Sequence, residues 1–234
     1  MTDKDYRLEK DSMGELKVPG EKHWGAQTQR AIENFKISNI KMPSEFIQSL
    51  ALLKWALSAA NSELGLLSSD KSEAIGRIAL EISEGNHHDE FPVDVFQTGS
   101  GTSTNMNMNE VIAHLSSSDD IPIHPNDDVN MGQSSNDVIP SAINVAASVL
   151  IKSSLLGSLS HLQKTLEEKA SSLSDVVKTG RTHLMDAMPI TFGQEIGAWA
   201  SQIEEAKRQF EATLPKMQHL AIGGTAVGRR QFAS

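Results

Sequence analysis

From Ser44 onward apolar positions recur every three or four residues, the spacing that gathers side chains on one face of an α-helix. Phe46, Leu50, Leu53, Leu57, Ala60 and Leu64 form the first such stripe. Ser44 stands as its N-cap, and Glu45 lies beside the positive end of the helix dipole. A second helix is predicted from Asp70, where Glu73 completes a capping box. Ile75, Ile78 and Ile82 are its core face and Gly85 its stop. Asn109–Leu115 predicts another. From about Asp137 the pattern lengthens, and Ile143, Ala147, Leu150, Leu155, Leu159, Leu162, Leu166, Ala170 and Leu173 predict a helix of about thirty residues, with Pro140 tolerated in its first turn. Phe192, Ile196, Trp199, Ile203, Ala206, Phe210, Leu214 and Met217 follow at steps of three and four, approximating the seam of a helical bundle. Pro215 is expected to end or kink that helix.

The remaining segments lack this period. Residues 1–43 carry charges, glycines, Pro19 and Pro43, and read as an irregular arm over a core, with one helix around Thr28–Asn34. Phe91–Phe96 alternates and is short enough for one extended segment. Gln97–Asn105 (QTGSGTSTN) is a loop by composition, and residues 116–134 read as a long ordered loop. Two long helices cannot bury their faces against each other alone. Further helices are expected from another chain or from more of this one, so an oligomer is the expectation.

Composition narrows the function classes. Apolar residues make up 38% of the 234 and charged residues 22%, enough for a buried core. The net charge of −9, without a basic stripe, argues against a nucleic-acid partner. The absence of cysteine fits a reducing compartment. The charged N-terminus has no apolar core of a secretory signal, and the longest apolar run is too short to span a bilayer. A cytoplasmic protein with no membrane partner is expected.

Three polar clusters remain to be assigned. Gly99–Asn105 offers Ser100, Gly101, Thr102 and Asn105, either as a flexible surface loop or as hydroxyl and main-chain donors for a carboxylate. Ser134, Ser135, Asn136 and Asp137 precede the long helix. One cap needs one side chain, and the surplus points to an anion site at the dipole's positive end. Arg181, Thr182 and His183 precede the next helix, and His183 can exchange a proton near neutral pH. Glu195 is expected to pair with Arg181 or to stay solvated. His124, Pro125, Asn126 and Asp127 lack a second ligand at metal spacing and read as a turn rather than a metal site. His87–Glu90 reads as a solvated helix-end turn. No metal or nucleotide motif is present, and the chemistry this suits is proton transfer on a small anionic substrate.

Five strings carry a resemblance: GAQTQRAIENF, QTGSGTSTNMNMNEV, HPNDDVNMGQSSNDVIP, GRTHLMDAMPITFGQEIGAW and LAIGGTAVG, in family order from about Asp11 to Gly228. Together they resemble class II fumarate hydratase, of the fumarase/aspartase superfamily, over its N-terminal half. GRTHL is fumarase-like, since aspartase-like chains carry a glutamine where His183 stands. The resemblance implies a mostly α fold. A small N-terminal helical lyase domain (1–133) would precede the first long helices of a central helical bundle (134–228), with a divergent tail at 229–234. It implies reversible hydration of fumarate to L-malate without cofactor or metal, in a homotetramer whose sites join segments of three subunits. By resemblance, Ser100, Gly101, Thr102, Asn105, Ser134, Ser135, Asn136 and Thr182 bind the dicarboxylate and His183 activates the water. His124, Pro125, Asn126 and Asp127 match a second, non-catalytic carboxylate site. The family runs on for roughly as many residues again, and that part holds the loop with the serine base. The rival readings are an aspartase-like ammonia-lyase and a non-catalytic helical fragment.

Overall fold

The computed structural model describes residues 6–228, so the tail expected at 229–234 lies outside the described residues. The chain is mostly helical and divides into two compact units, Met1–Ala146 with Leu220–Ser234, and Ala147–His219.

The first unit opens with a hairpin where an irregular arm was expected. Strands β1 (Tyr6–Asp11) and β2 (Gly14–Pro19) pair antiparallel from Tyr6↔Pro19 to Asp11↔Gly14. The Asp11 carboxylate accepts the Met13 N–H at 2.9 Å, and Gly14 takes a φ of +115° that other residues avoid. Charges at Arg7, Glu9, Lys10, Glu15 and Lys17 obscure the alternation, and of the two strands Val18 alone is buried. Side chains then fix the hairpin in place. The Arg7 guanidinium donates to the carbonyls of Pro19, Lys22 and Trp24. Arg30, on α1 (Ala26–Asn34), grips the Asp11 carboxylate through two bonds of 2.8 and 3.0 Å.

Helices α2 (Ser44–Glu63), α3 (Ser69–Ser83) and α4 (Thr102–Ser116) build the core. Leu50, Ile75, Ile78, Ile82, Met108 and Ile112 are among its buried side chains. Two expected caps shift. Ser44 is the first helical residue of α2 and Pro43 precedes it, so main-chain bonds from Phe46 and Ile47 to the Pro43 carbonyl close the turn. In α3 the cap is Ser68, whose hydroxyl accepts the Lys71 N–H, and no box forms because the third helical position is a lysine rather than a glutamate. Gly85 ends α3 as expected, with φ +96° and its N–H on the Ile82 carbonyl. The α2 stripe is buried only at its start, since Ala60 and Leu64 are exposed. Helix α4 reaches back to Thr102, into the segment expected to be loop. It is buried continuously over residues 103–113, and a helix enclosed on all sides shows no amphipathic period.

Phe91–Phe96 forms no strand, only an isolated bridge between Lys41 and Asp94. The turn at His88–Glu90 is not wholly solvated: Glu90 is buried and accepts the His23 N–H at 2.7 Å. Pro125–Val129 is a single π-helical turn. Helix α5 (Ser135–Leu150) starts two residues before the expected point, which moves Pro140 beyond the first turn. Its missing N–H removes the usual helical donor to the Asn136 carbonyl. The unit closes with residues 220–228, where the N–H groups of Gly223 and Thr225 donate to the Asp137 carboxylate at 3.2 and 2.8 Å.

The second unit continues from α5 through a π-helical turn (Ile151–Leu155) into α6 (Leu156–Ser172), then a hairpin and α7 (Phe192–Met217). Strands β3 (Val177–Thr182) and β4 (Met185–Thr191) pair antiparallel with a bulge between Thr179 and Arg181. Thr191 and Gln194 form a capping box at the start of α7. Helices α6 and α7 pack closely at Gly193, where an added Cβ would stand 2.6 Å from the Ala170 carbonyl oxygen. Pro215 does not end α7, which continues to Met217. No side chain of α6 is buried, and on α7 only Ile196, Ala200 and Leu214 are. Trp199 and Phe210 face outward.

The helical run Ser135–Ser172 is long and apolar enough, by length and composition alone, to cross a membrane, with a mean hydropathy of 1.5 over its most apolar window. Ser141, Asn144, Ser148 and Lys152 break it, so no uninterrupted apolar run reaches that length. A core helix of a bundle has the same composition.

Candidate functional site

In the first unit, two of the three polar clusters come together. Gly101, with φ +67°, turns the chain into α4, and its missing Cβ leaves room for Ile139, which would otherwise lie 3.1 Å away. That turn brings Ser100 and Thr102 against Ser135 at the start of α5. The three hydroxyls form a triangle: Ser100 to Thr102 at 2.9 Å, Thr102 to Ser135 at 2.9 Å, and Ser100 to Ser135 at 3.2 Å. Ser100 is exposed, and the other two are half-buried. Each hydroxyl is a rotor that donates one proton, so all three can turn outward to an arriving carboxylate. Two helix N-termini, those of α4 and α5, add their positive ends.

The free main-chain donors expected at α4 are partly used. The N–H of Ser103 donates to Thr98 Oγ1 at 3.1 Å and that of Thr104 to Gln97 Oε1 at 2.9 Å. The hydroxyls are therefore the ready donors there. At α5 the cap is Ser134. Its hydroxyl accepts the Asn136 N–H at 3.2 Å, and the Asp137 carboxylate returns to the Ser134 N–H at 2.9 Å. Asn136 is exposed, and its amide reaches the Ala226 carbonyl at 3.5 Å.

Asn105 points elsewhere, to a residue that sequence reasoning missed. Lys54 lies in the middle of α2, 1% exposed, and donates to Asn105 Oδ1 at 2.8 Å, Asn130 Oδ1 at 3.0 Å and Gln133 Oε1 at 2.7 Å. Burial pushes Lys54 down to about 7, against the attraction of the Asp137 carboxylate. One signal in the chain marks it: Lys54 is the sole charge between Glu45 and Glu63.

His124–Asp127 forms its own turn. His124 Nδ1 accepts the Asp127 N–H at 3.1 Å and lies 3.1 Å from the Asp127 carboxylate. Asp128 stiffens it from inside, accepting the His124 N–H at 2.8 Å and pairing with Lys71 at 2.7 Å. His124, Pro125 and Asn126 line a cleft of about 580 Å³ with Arg7, His23 and His114. Burial first, then the positive charge of Arg7, holds His114 below the ordinary imidazole value. Among the described residues no group of three or more His, Asp or Glu side chains is placed to hold a metal ion.

Thr182 and His183 belong to the second unit. Thr182 ends β3, and His183 with Leu184 forms the two-residue turn into β4. Both turn residues take positive φ, +47° and +62°, in a connection that glycine or asparagine usually fills. The imidazole is exposed at the hairpin tip. Glu195 neither pairs with Arg181 nor stays solvated. Arg181 pairs with Asp186 at 3.0 Å, and Glu195 pairs with Lys178 at 2.6 Å.

Comparison with known proteins gives this geometry its context. The chain is 54% identical over 224 residues to the class II fumarate hydratase of Xylella fastidiosa (strain Temecula1), covering 95% of this chain and 47% of that protein. It is 52% identical over 228 residues to the class II fumarate hydratase of Corynebacterium glutamicum, covering 97% and 48%. The crystal structure of recombinant class II fumarase from Schistosoma mansoni superposes with a TM-score of 0.91 at 41% identity, over 97% of this chain and 49% of that one. The chain thus spans about half the length of the curated relatives it matches. A family model described as lyase covers residues 14–232, which include the hydroxyl triangle, the Lys54 network and the His183 hairpin, and by that match the chain belongs to the lyase family.

Proposed function

We propose that this chain carries the dicarboxylate-binding part of a fumarate hydratase and takes fumarate and L-malate in their reversible interconversion. The observation that carries this reading is the convergence of Ser100, Thr102 and Ser135 at two helix N-termini. It occurs on a chain 54% identical to a class II fumarate hydratase. In the dehydration direction a proton leaves the carbon next to one carboxylate, whose charge grows to that of a dianionic aci-carboxylate. Hydroxide then leaves the neighbouring carbon and the double bond forms. Hydrogen-bond donors fixed where that charge develops favour the transition state over the ground state. Gly101, Ser134, Asn136 and Thr182 complete the binding set in this reading, Asn105 stands behind it on Lys54 rather than against the substrate, and His183 activates the water that is added or removed. His124, Pro125, Asn126 and Asp127 would form a second carboxylate site. The serine base would come from the part of the relatives that this chain does not span.

The domain division at 133/134 and a tetramer belong to the same proposal. The outward-facing Trp199, Phe210 and Leu162 on α6 and α7 support association with further helices, since such side chains gain by leaving water. The exposed hairpin tip would then place His183 in a site shared with other subunits. A cytoplasmic location accompanies this reading.

Turnover by the purified chain, alone and mixed with the remaining portion of the Xylella relative, tests the proposal. Ultraviolet absorbance of the fumarate double bond is the readout, with L-malate and L-aspartate as substrates. Fumarate formed from malate in the mixture is the expected result. Fumarate formed from aspartate and not from malate would replace this reading with an ammonia-lyase.

A further inference from the structure

Lys54 is the one buried ammonium among the described residues whose three partners are all neutral amides. The orientation of those amides follows from their other ends. Asn130 Nδ2 donates to the Gln133 carbonyl at 3.3 Å, and Gln133 Nε2 donates to the Val129 carbonyl at 3.0 Å, so both side-chain oxygens face Lys54. Asn105 Nδ2 donates to Asn130 Oδ1 at 3.1 Å, which leaves its own oxygen for the lysine. Three acceptors require three N–H donors, and only the charged amine has three. The nearby Asp137 carboxylate does not quench this charge by a bond, because its oxygens accept the N–H groups of Ser134, Gly223 and Thr225.

The partners sit at informative places. Asn105 lies on α4 one turn after Thr102. Asn130 and Gln133 belong to the loop that leads directly into Ser134 and Ser135. We propose that Lys54 is a positioning residue: its ammonium ties the first turns of α4 to the 130–133 loop, and thereby holds the Ser100 and Thr102 hydroxyls in register with Ser135. The inference rests on the reading of that triangle as the substrate cluster. Beyond positioning, the protonated lysine places a positive charge, only partly offset by the Asp137 carboxylate, behind the cluster, where the interior screens it less than water would. A dianionic substrate gains from that charge, and a neutral analogue does not.

Hydrogen exchange on the full chain tests it. Lys54→Met keeps an unbranched stem that ends where the ammonium begins and removes the donors. Faster exchange, by about tenfold, is expected in residues 98–105 and 130–137, with residues 75–82 of α3 unchanged. The chain has no cysteine, so Lys54→Cys can be aminoethylated at a single site to restore an ammonium of similar reach. Restoration is expected to return slow exchange. Gln133→Met cuts the same tether from the loop side, leaves α2 untouched and should loosen the same two segments, which keeps the test decisive if Lys54→Met does not fold. Unchanged exchange in Gln133→Met, loosening spread evenly through α2 and α3, or no recovery on aminoethylation would overturn the proposal. Fumarate titration of the same samples separates the two claims. Weaker binding in Lys54→Met, by about tenfold, extends the positioning to the ligand. Localised loosening in a chain whose wild type binds no fumarate upholds the tether and removes the substrate reading instead.

Discussion

Glu110→Ala is expected to destabilise the first unit by about 3–5 kcal/mol, because it strips a buried carboxylate from four donors at once. The N–H groups of Gly25, Gln27 and Thr28 donate to Glu110 at 2.9, 2.9 and 3.0 Å, and the Thr28 hydroxyl at 2.5 Å. Helix α1 has no cap of its own, since Gly25 offers no side chain. Glu110, more than eighty residues on in α4, supplies it, and its negative charge also meets the positive end of the α1 dipole. Gly25 is required in return: a Cβ there would stand 2.8 Å from Glu110 Oε1. Glu110→Gln keeps the shape and one acceptor oxygen, so it should cost about half as much. Urea unfolding followed by circular dichroism measures both variants, and a loss below about 1 kcal/mol for the alanine would contradict this assignment.

His183→Asn is expected to lower malate turnover of the reconstituted enzyme by about 10²–10⁴-fold, the usual contribution of a positioned acid or base. The hairpin itself should survive. At φ +47° asparagine is among the most tolerant residues, and it occupies such two-residue turns readily. Loss of turnover with an unchanged melting curve therefore reports the missing imidazole rather than a lost turn. A variant with wild-type turnover would exclude His183 from the chemistry.

The parts of this fold that could be read from the chain are those with one wet face and one dry face. Ile75, Ile78 and Ile82 mark α3, whose buried face leaves a period of three and four; Phe192 to Met217 marks α7 by the same period, although Phe192, Trp199 and Phe210 of that stripe are exposed. Helix α4 could not be read in full for the opposite reason: residues 103–113 are enclosed, and half of them are polar. Both hairpins escaped because charged or exposed side chains leave no clean alternation. The β3–β4 tip, with two non-glycine residues at positive φ, contradicts the usual turn chemistry.

The polar clusters were legible as surplus hydroxyls before helices, and the structure joins Ser100 and Thr102 to Ser135. It does not turn Asn105 toward them. Lys54 drew no notice because a lysine on an apolar face usually extends its charge to water. Here three amides from distant positions hold that charge inside, and no local pattern encodes their meeting.

The most direct test of the central claim is a fumarate titration of the isotope-labelled chain, followed residue by residue by NMR. The account predicts saturable shifts at Ser100–Asn105 and Ser134–Asn136, reversed by competing L-malate and absent in Thr102→Val. Shifts confined to other regions, or none at millimolar fumarate, would contradict the assignment of this hydroxyl cluster to the dicarboxylate.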